Sequence, residues 1–263
     1  MKRILITGAE GYIGRSIYSA FSKKYDITCI SRNNFDLTDS VALNNFFANQ
    51  NKFDIVIHCA VKGGNRLVKD DYSIMDVNLT MYYNLLQHQG KSYKRLIHFG
   101  SGAEVLWTDK PYGFSKNVIA RSSYERKDCY NIRIYGVFDS KELDRRFIKA
   151  SIKRYLNKQP IVIHQDKYMD FFYMKDLLSL IEVYILSNKE LPKEVECCYN
   201  RPFSLSDIAN IINSLDDYTV GIKVSENKFG DPYTGGSLEN GLIQPIGLEM
   251  GIREMYKELA NEN

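Results

Sequence analysis

The sequence predicts a doubly wound α/β fold, a parallel sheet covered by helices on both faces, with a small interwoven C-terminal part. Three observations carry this. Short apolar runs alternate with stretches of helical period from the first residues onward. The run FDIVIHCA (53–60) is nearly all apolar, as strands buried on both faces tend to be. Gly8, Gly11 and Gly14, each three apart, stand between the first apolar run and the first helical stretch.

Taken in order, RILIT reads as a strand, and Ile13, Ile17, Ala20 and Phe21 mark one face of a helix. DITCIS is a second strand, followed by a helix with Val41, Phe46 and Phe47, capped by Thr38 or Asp39. After FDIVIHCA comes a longer helix, about residues 71–88, with Ile74, Val77, Met81 and Leu85 on one side. RLIHFGS is a fourth strand, PYGFSKNVIARSSYE a helix and YNIRIYGVF a fifth strand. The regularity then loosens. LDRRFIKASIKRYL, LLSLIEVYIL and SLSDIANIINSL read as helices, PIVIH and VECCYN as strands, and a last helix spans about residues 248–259. Glycines and prolines between Gly230 and Gly247 suggest a surface loop. The expected division is a sheet domain over 1–160 and a mainly C-terminal part over 161–263, with some elements returning to the sheet.

Composition narrows the function classes. A net charge of +3, with lysines and arginines interleaved among 32 acidic residues, leaves no basic stripe for nucleic acid. Five cysteines without CxxC or ligand spacing to the four histidines read as reduced thiols, and no metal is expected. His58, His98 and His164, in or beside strands, are expected to be packed and satisfied. No apolar run reaches the ~20 residues of a membrane span, and the start has no signal-peptide pattern, so a cytoplasmic protein is expected.

The glycine turn opening directly into a helix is an arrangement that cradles a dinucleotide. Glycine allows the tight turn and the close approach of a pyrophosphate, and the helix N-terminus offers N–H groups to it. Tyr112 and Lys116, four apart on a helix, leave from one face. A free phenol has a pKa of about 10. A lysine cation beside it favours the phenolate, giving a proton donor and acceptor suited to carbonyl/alcohol interconversion.

These motifs, with DL at 36–37, HCA at 58–60, VNLTMYYNLL around Asn78, FGSGAE around Ser101, YGFSK at 112–116, IRIYGVF from Ile132 and DFFYMKDL at 170–177, resemble the extended short-chain dehydrogenase/reductases, the nucleotide-sugar-modifying branch. The resemblance runs from about residue 3 to 260. It implies Ser101, Tyr112 and Lys116 as catalytic residues. It implies a cofactor site of Gly8, Gly11, Tyr12, Ile13, Gly14, Ser31, Arg32, Asp36, Leu37, Cys59, Ala60 and Asn78, with Tyr112 and Lys116 again. It further implies a nucleotide-sugar substrate touching Lys62, Ser101 and Gly102, and a homodimer packed through the helices of Tyr112 and Asn78. The layout ISRNNFDLTD and AVKGGN is similar to 4-keto sugar reductases of the GDP-fucose synthase type.

Two departures from the family pattern matter. The gap between Ser101 and Tyr112 is short, which trims a loop that usually caps the substrate. Met169 stands where an arginine usually precedes Asp-Phe, leaving Arg145, Arg146 and Arg201 as candidates to hold the substrate diphosphate, each otherwise a solvated surface charge. Dehydratases of the same branch place an acidic pair just after the serine-side threonine, whereas GAEVLW has Glu104 alone. The second strand ends in Ser31 and Arg32 with no carboxylate before Asp36, a charge pattern that predicts NADP(H), with NAD(H) as the alternative. The expected reaction is reduction of a nucleotide-linked 4-keto 6-deoxy sugar in surface-polysaccharide or deoxysugar biosynthesis. The alternatives are a 4-epimerase that retains its NAD and, further off, a non-catalytic dinucleotide sensor.

Overall fold

The computed structural model describes residues 1–64, 68–236, 238 and 241–261. Asn65, the last residue of AVKGGN, and three positions of the glycine- and proline-containing loop (Ser237, Glu239 and Asn240) lie outside the described residues. The chain divides into two compact units, one of residues 1–133 and 184–195, the other of 134–183 and 196–263. The division therefore falls after Arg133 and not after residue 160, and the first unit takes back a later segment.

In the first unit, the chain runs β1 (Arg3–Thr7), α1 (Tyr12–Phe21), β2 (Asp26–Ile30), α2 (Ser40–Ala48), β3 (Phe53–His58), α3 (Ser73–Leu86), β4 (Tyr93–Ser101), α4 (Ala103–Leu106), α5 (Pro111–Tyr124) and β5 (Cys129–Ile134). The second unit opens with β6 (Val137–Phe138), α6 (Phe147–Leu156), β7 (Ile161–Gln165) and β8 (Phe172–Tyr173). Helix α7 (Met174–Leu186) leads back to the first unit, β9 (Glu194–Cys197) leads out again, and α8 (Leu205–Asn213), β10 (Ile222–Glu226) and α9 (Leu248–Ala260) complete the second.

Six strands form one sheet in the order β2-β1-β3-β4-β5-β9, and β1 pairs parallel with β2 and β3, as β3 does with β4. This is the doubly wound α/β architecture expected, and β1, with neighbours reached in opposite directions, marks the topological switch point. The core strands are buried along nearly their whole length because helices cover the sheet. Leu5, Val56, Tyr82, Leu85 and Leu96 are among the buried side chains packed there. Asp39 caps α2, its carboxylate accepting from the N–H groups of Val41 and Ala42 at 2.9 and 3.0 Å. The returning segment is tied to this unit by Arg95, whose buried guanidinium donates to the carbonyls of Tyr184 and Ser187, and by Lys2, which donates to Ile185 O. Backbone bonding from Asn131 N to Lys193 O adds the last strand.

The second unit has its own core, including Ile148, Tyr155, Ile208, Ile252 and Met255, and two small sheets, β10-β7 and β6-β8. Four expectations change. YNIRIYGVF is not one strand: it ends at Ile134, and Gly136 turns the chain so that β6 pairs with β8. A Cβ at Gly136 would lie 2.9 Å from the carbonyl oxygen of Asp170, so the turn packs too closely for a side chain. Helix α6 starts at Phe147, four residues later than its apolar pattern suggests. Ala20 is exposed, and Gly14 and Ser16 share the buried face of α1 instead. His164 is also exposed (81% of its side chain), because alternation along β7 turns Val162 and His164 outward; it pairs with Glu226 at 2.8 Å.

Among the described residues, no helix is long and apolar enough to cross a membrane.

Candidate active site

Residues of the first unit build the site at the C-terminal ends of β1, β3 and β4. The turn after β1 places Gly8 at φ 64°, and a Cβ there would fall 2.6 Å from the backbone nitrogen of Ala60. The turn after β1 thus lies against the chain leaving β3. A Cβ on Gly14 would meet the carbonyl oxygen of Gly8 at 2.5 Å, so α1 starts tight against the turn. No side chain caps α1, which begins at Tyr12 and Ile13, both half-buried.

A groove of about 500 Å³ opens over this turn. From the expected cofactor residues it takes Gly8 and Gly11 of the turn, Ser31, Arg32, Asp36 and Leu37 beyond β2, and Cys59 and Ala60 beyond β3. The glycine cradle, the groove and the open helix start fit a nicotinamide dinucleotide lying across the switch point. Phe35, Val77 and Met81 add apolar wall. Glu10 also lines the groove, a residue that sequence reasoning passed over although it lies inside the glycine turn. Its Oε1 accepts from Ser31 Oγ at 2.9 Å and from Asn33 Nδ2 at 2.8 Å. Asp36 caps its own turn, accepting from the N–H and hydroxyl of Thr38. These two bonds hold its carboxyl below the usual range, helped by the Arg32 charge.

Asn78 is buried and clamps the segment after β3. Its Oδ1 accepts from Lys62 N at 2.8 Å, and its Nδ2 donates to Lys62 O at 3.0 Å and Ser115 Oγ at 3.2 Å. Asn78 thus couples that segment to α5. Lys62 itself lines the groove and donates to Ser73 Oγ at 2.8 Å. The segment ends with Gly64 laid against the Tyr112 ring, where a Cβ would approach Cζ to 2.8 Å.

Tyr112 and Lys116 stand on α5, and Ser101 ends β4. The Lys116 ammonium lies 5.9 Å from the centre of the Tyr112 ring and donates to Phe99 O at 2.6 Å. Lys116 is 8% exposed, and burial pulls its pKa down from the usual 10.5 to about 8, with Glu104 and Cys59 opposing. Ser101 is buried and its Oγ accepts from Ala103 N at 3.2 Å; Gly102 beside it is buried too. His58 lies 2.7 Å from Thr7 Oγ1 and His98 2.9 Å from Ser123 Oγ. Burial holds His98 far below its usual range and His58 down to about 3, so both are neutral, packed side chains.

Glu104 points away from catalysis. It is fully buried, its Oε1 accepting from Arg133 Nε at 2.5 Å and Asn131 Nδ2 at 2.7 Å, and its Oε2 from Ser101 N at 3.0 Å. Burial raises its pKa, and Arg133, which also meets Glu194 at 3.2 Å, opposes that rise. Arg133→Met would leave this carboxylate buried without its cation. The expected cost is about 3 kcal/mol, read as a lower urea midpoint; a loss below about 1 kcal/mol would mean that Asn131 and the Ser101 N–H suffice.

The expected diphosphate ligands lie in the second unit. Met169 is buried in that unit's core, and the adjoining Asp170 accepts from Gly235 N at 2.7 Å. Burial and the nearby Glu196 lift Asp170 to about 6. Arg145 is exposed, Arg146 faces Glu142 at 3.8 Å, and Arg201 stacks 4.8 Å over Phe203. Among the described residues no group of three or more His, Cys, Asp or Glu could hold a metal ion.

Comparison with known proteins gives the family and the fold. The model of the NAD dependent epimerase/dehydratase family matches residues 4–198. CDP-abequose synthase of Yersinia pseudotuberculosis is 23% identical over 249 residues, covering 84% of this chain and 87% of that protein. The GDP-6-OMe-4-keto-L-xylo-heptose reductase from C. jejuni superposes with a TM-score of 0.75 at 14% identity, over 100% of this chain and 98% of the other. UDP-glucose 4-epimerase from Thermotoga maritima gives 0.78 at 15% identity, over 99% of both. The chain belongs to the NAD dependent epimerase/dehydratase family, an extended short-chain dehydrogenase/reductase of the nucleotide-sugar-modifying kind.

Proposed function

We propose that the protein reduces a nucleotide-linked 4-keto sugar of the 6-deoxy class, with Tyr112 as proton donor. The observation that carries this is the buried Lys116 ammonium, 5.9 Å from the Tyr112 ring at the same end of the sheet as the dinucleotide groove. Gly8, Gly11 and the start of α1 would hold the pyrophosphate, and the walls beyond β2 and β3 would hold the rest of the dinucleotide. Bound there, a reduced nicotinamide would supply the hydride for the carbonyl carbon. The Tyr112 hydroxyl gives its proton to the carbonyl oxygen as negative charge develops on it. The Lys116 cation, anchored by Phe99 O, stabilises the phenolate left behind. The Ser101 hydroxyl donates to the same oxygen and orients it, with Gly102 and Lys62 beside the sugar. Arg145, Arg146 and Arg201 remain the proposed partners of the substrate diphosphate.

Burial of Glu104 on Arg133 supports a carbonyl/alcohol reaction over dehydration, because that carboxylate is committed to an ion pair. The short connection through α4 supports reduction over epimerisation, since an epimerase must turn its keto intermediate over inside an enclosed pocket. We also propose a cytoplasmic homodimer packed through α3 and α5, which expose Tyr83 and Tyr124.

The test is to release and identify any dinucleotide carried by the purified protein, then supply reduced nicotinamide dinucleotide with a nucleotide-linked 4-keto-6-deoxy sugar. Stoichiometric oxidation of the added cofactor is expected. Tightly held NAD, with sugar isomers interconverting and nothing consumed, would establish the epimerase instead.

A further inference from the structure

We propose that Glu10 reads the 2′ position of the adenosine ribose, accepting a hydroxyl there and repelling a phosphate, so that the site takes NAD(H) in preference to NADP(H). The inference rests on the dinucleotide reading of the groove and reverses the cofactor choice that Arg32 alone suggests. In the general scheme, a carboxylate at the end of the second strand accepts the ribose hydroxyl. β2 ends without one. The chain supplies it from the other wall: Glu10, within the glycine turn, reaches across to the end of β2 and lines the same groove as Ser31 and Arg32.

Its position is built rather than incidental. Oε1 accepts from Ser31 Oγ at 2.9 Å and Asn33 Nδ2 at 2.8 Å, and the Ser31 N–H is taken by Asn34 Oδ1 at 2.8 Å. The short-range donors that would greet an anion at the end of β2 therefore already face a carboxylate or a side-chain carbonyl. Arg32 shares the groove with two acids, Glu10 and Asp36, and the Asp36 carboxyl feels its charge. A ribose hydroxyl can donate to the Glu10 carboxylate. A 2′-phosphate has only acceptors to offer and brings like charge to it.

The test is direct binding of NADH and NADPH, by calorimetry or quenching of protein fluorescence, to the wild type and to Glu10→Gln. The amide keeps the shape and the acceptor oxygen for Ser31 and Asn33, so the turn is preserved, and circular dichroism checks the fold. The wild type is expected to bind NADH at least about tenfold more tightly than NADPH, and Glu10→Gln to shrink that ratio by about tenfold, mainly through tighter NADPH binding. A wild type that prefers NADPH, or a ratio that stays within about twofold in Glu10→Gln while both cofactors bind, overturns the role of Glu10 and leaves the dinucleotide site standing. Failure of the wild type to bind either cofactor removes the site itself, and the inference with it.

Discussion

Tyr112→Phe is expected to lower turnover by about a thousandfold while leaving dinucleotide affinity within about twofold of wild type. The substitution deletes one oxygen. The ring that packs against Gly64 remains, Lys116 keeps its bond to Phe99 O, and the phosphate cradle at Gly8 and Gly14 is untouched. What disappears is the proton for the developing alkoxide, and three other titratable groups nearby do not replace it: Glu104 is locked to Arg133, and His58 and His98 are neutral and packed. Single-turnover measurement with a bound 4-keto sugar separates the two effects. Activity above a few per cent of wild type would take the proton-donor role away from Tyr112.

Lys116→Met should be an enzyme with little turnover and weaker cofactor binding that is nevertheless more stable than its parent. The lysine's pKa falls from 10.5 to about 8 because the fold buries it, so the folded state disfavours its charge. Below pH 8 both folded and unfolded chains carry the proton, and the full cost of burying the cation is present. Between about 8 and 10.5 the folded chain sheds the proton while the unfolded chain keeps it, so the cost fades as pH rises; above 10.5 it is gone. That difference is worth at most about 3 kcal/mol, less about 1 kcal/mol for the lost bond to Phe99 O. A net gain of about 1–2 kcal/mol is therefore expected at pH 7, shrinking by pH 10, measured as urea midpoints at the two values. A variant less stable than wild type at pH 7, or a difference that does not move with pH, would show that the buried ammonium costs the fold nothing. Methionine matches the stem of lysine, so the loss of turnover would belong to the charge.

What could be read from the chain beforehand was local. The glycine turn and the Tyr112–Lys116 pair are short-range patterns whose geometry follows from a turn or from 3.6 residues per helical turn, and the structure sets them at one end of one sheet. The division of YNIRIYGVF into β5 and β6 was hidden because it depends on the Asp170 carbonyl and the Phe171 ring, brought up from more than thirty positions away. Strand β10 is only five residues, four of them exposed, so its short apolar–polar alternation marks no buried face. His164 shows the reverse: the alternation of β7 was present in PIVIH, and its outward position followed from counting along the strand. Of the site, the residue types were legible and their commitments were not. Whether Glu104 faces a sugar or an arginine, and whether the end of β2 meets an arginine or a glutamate, are settled by chain segments distant in sequence.

The return of residues 184–195 to the first unit bears on the order in which the protein can be made. A ribosome delivers the glycine turn, Ser101, Tyr112 and Lys116 early, yet the guanidinium of Arg95 has its carbonyl acceptors only once Tyr184 and Ser187 emerge. Until then a cation destined for burial has only the distant Asp128 carboxylate at 3.9 Å and the Tyr130 ring beside it, and β5 lacks the neighbour that β9 supplies. The N-terminal unit therefore cannot close as a finished module during synthesis, nor be transplanted as a contiguous cassette. Recombination that exchanged residues 1–133 alone would carry every proposed catalytic side chain without the segment of this chain that completes their unit.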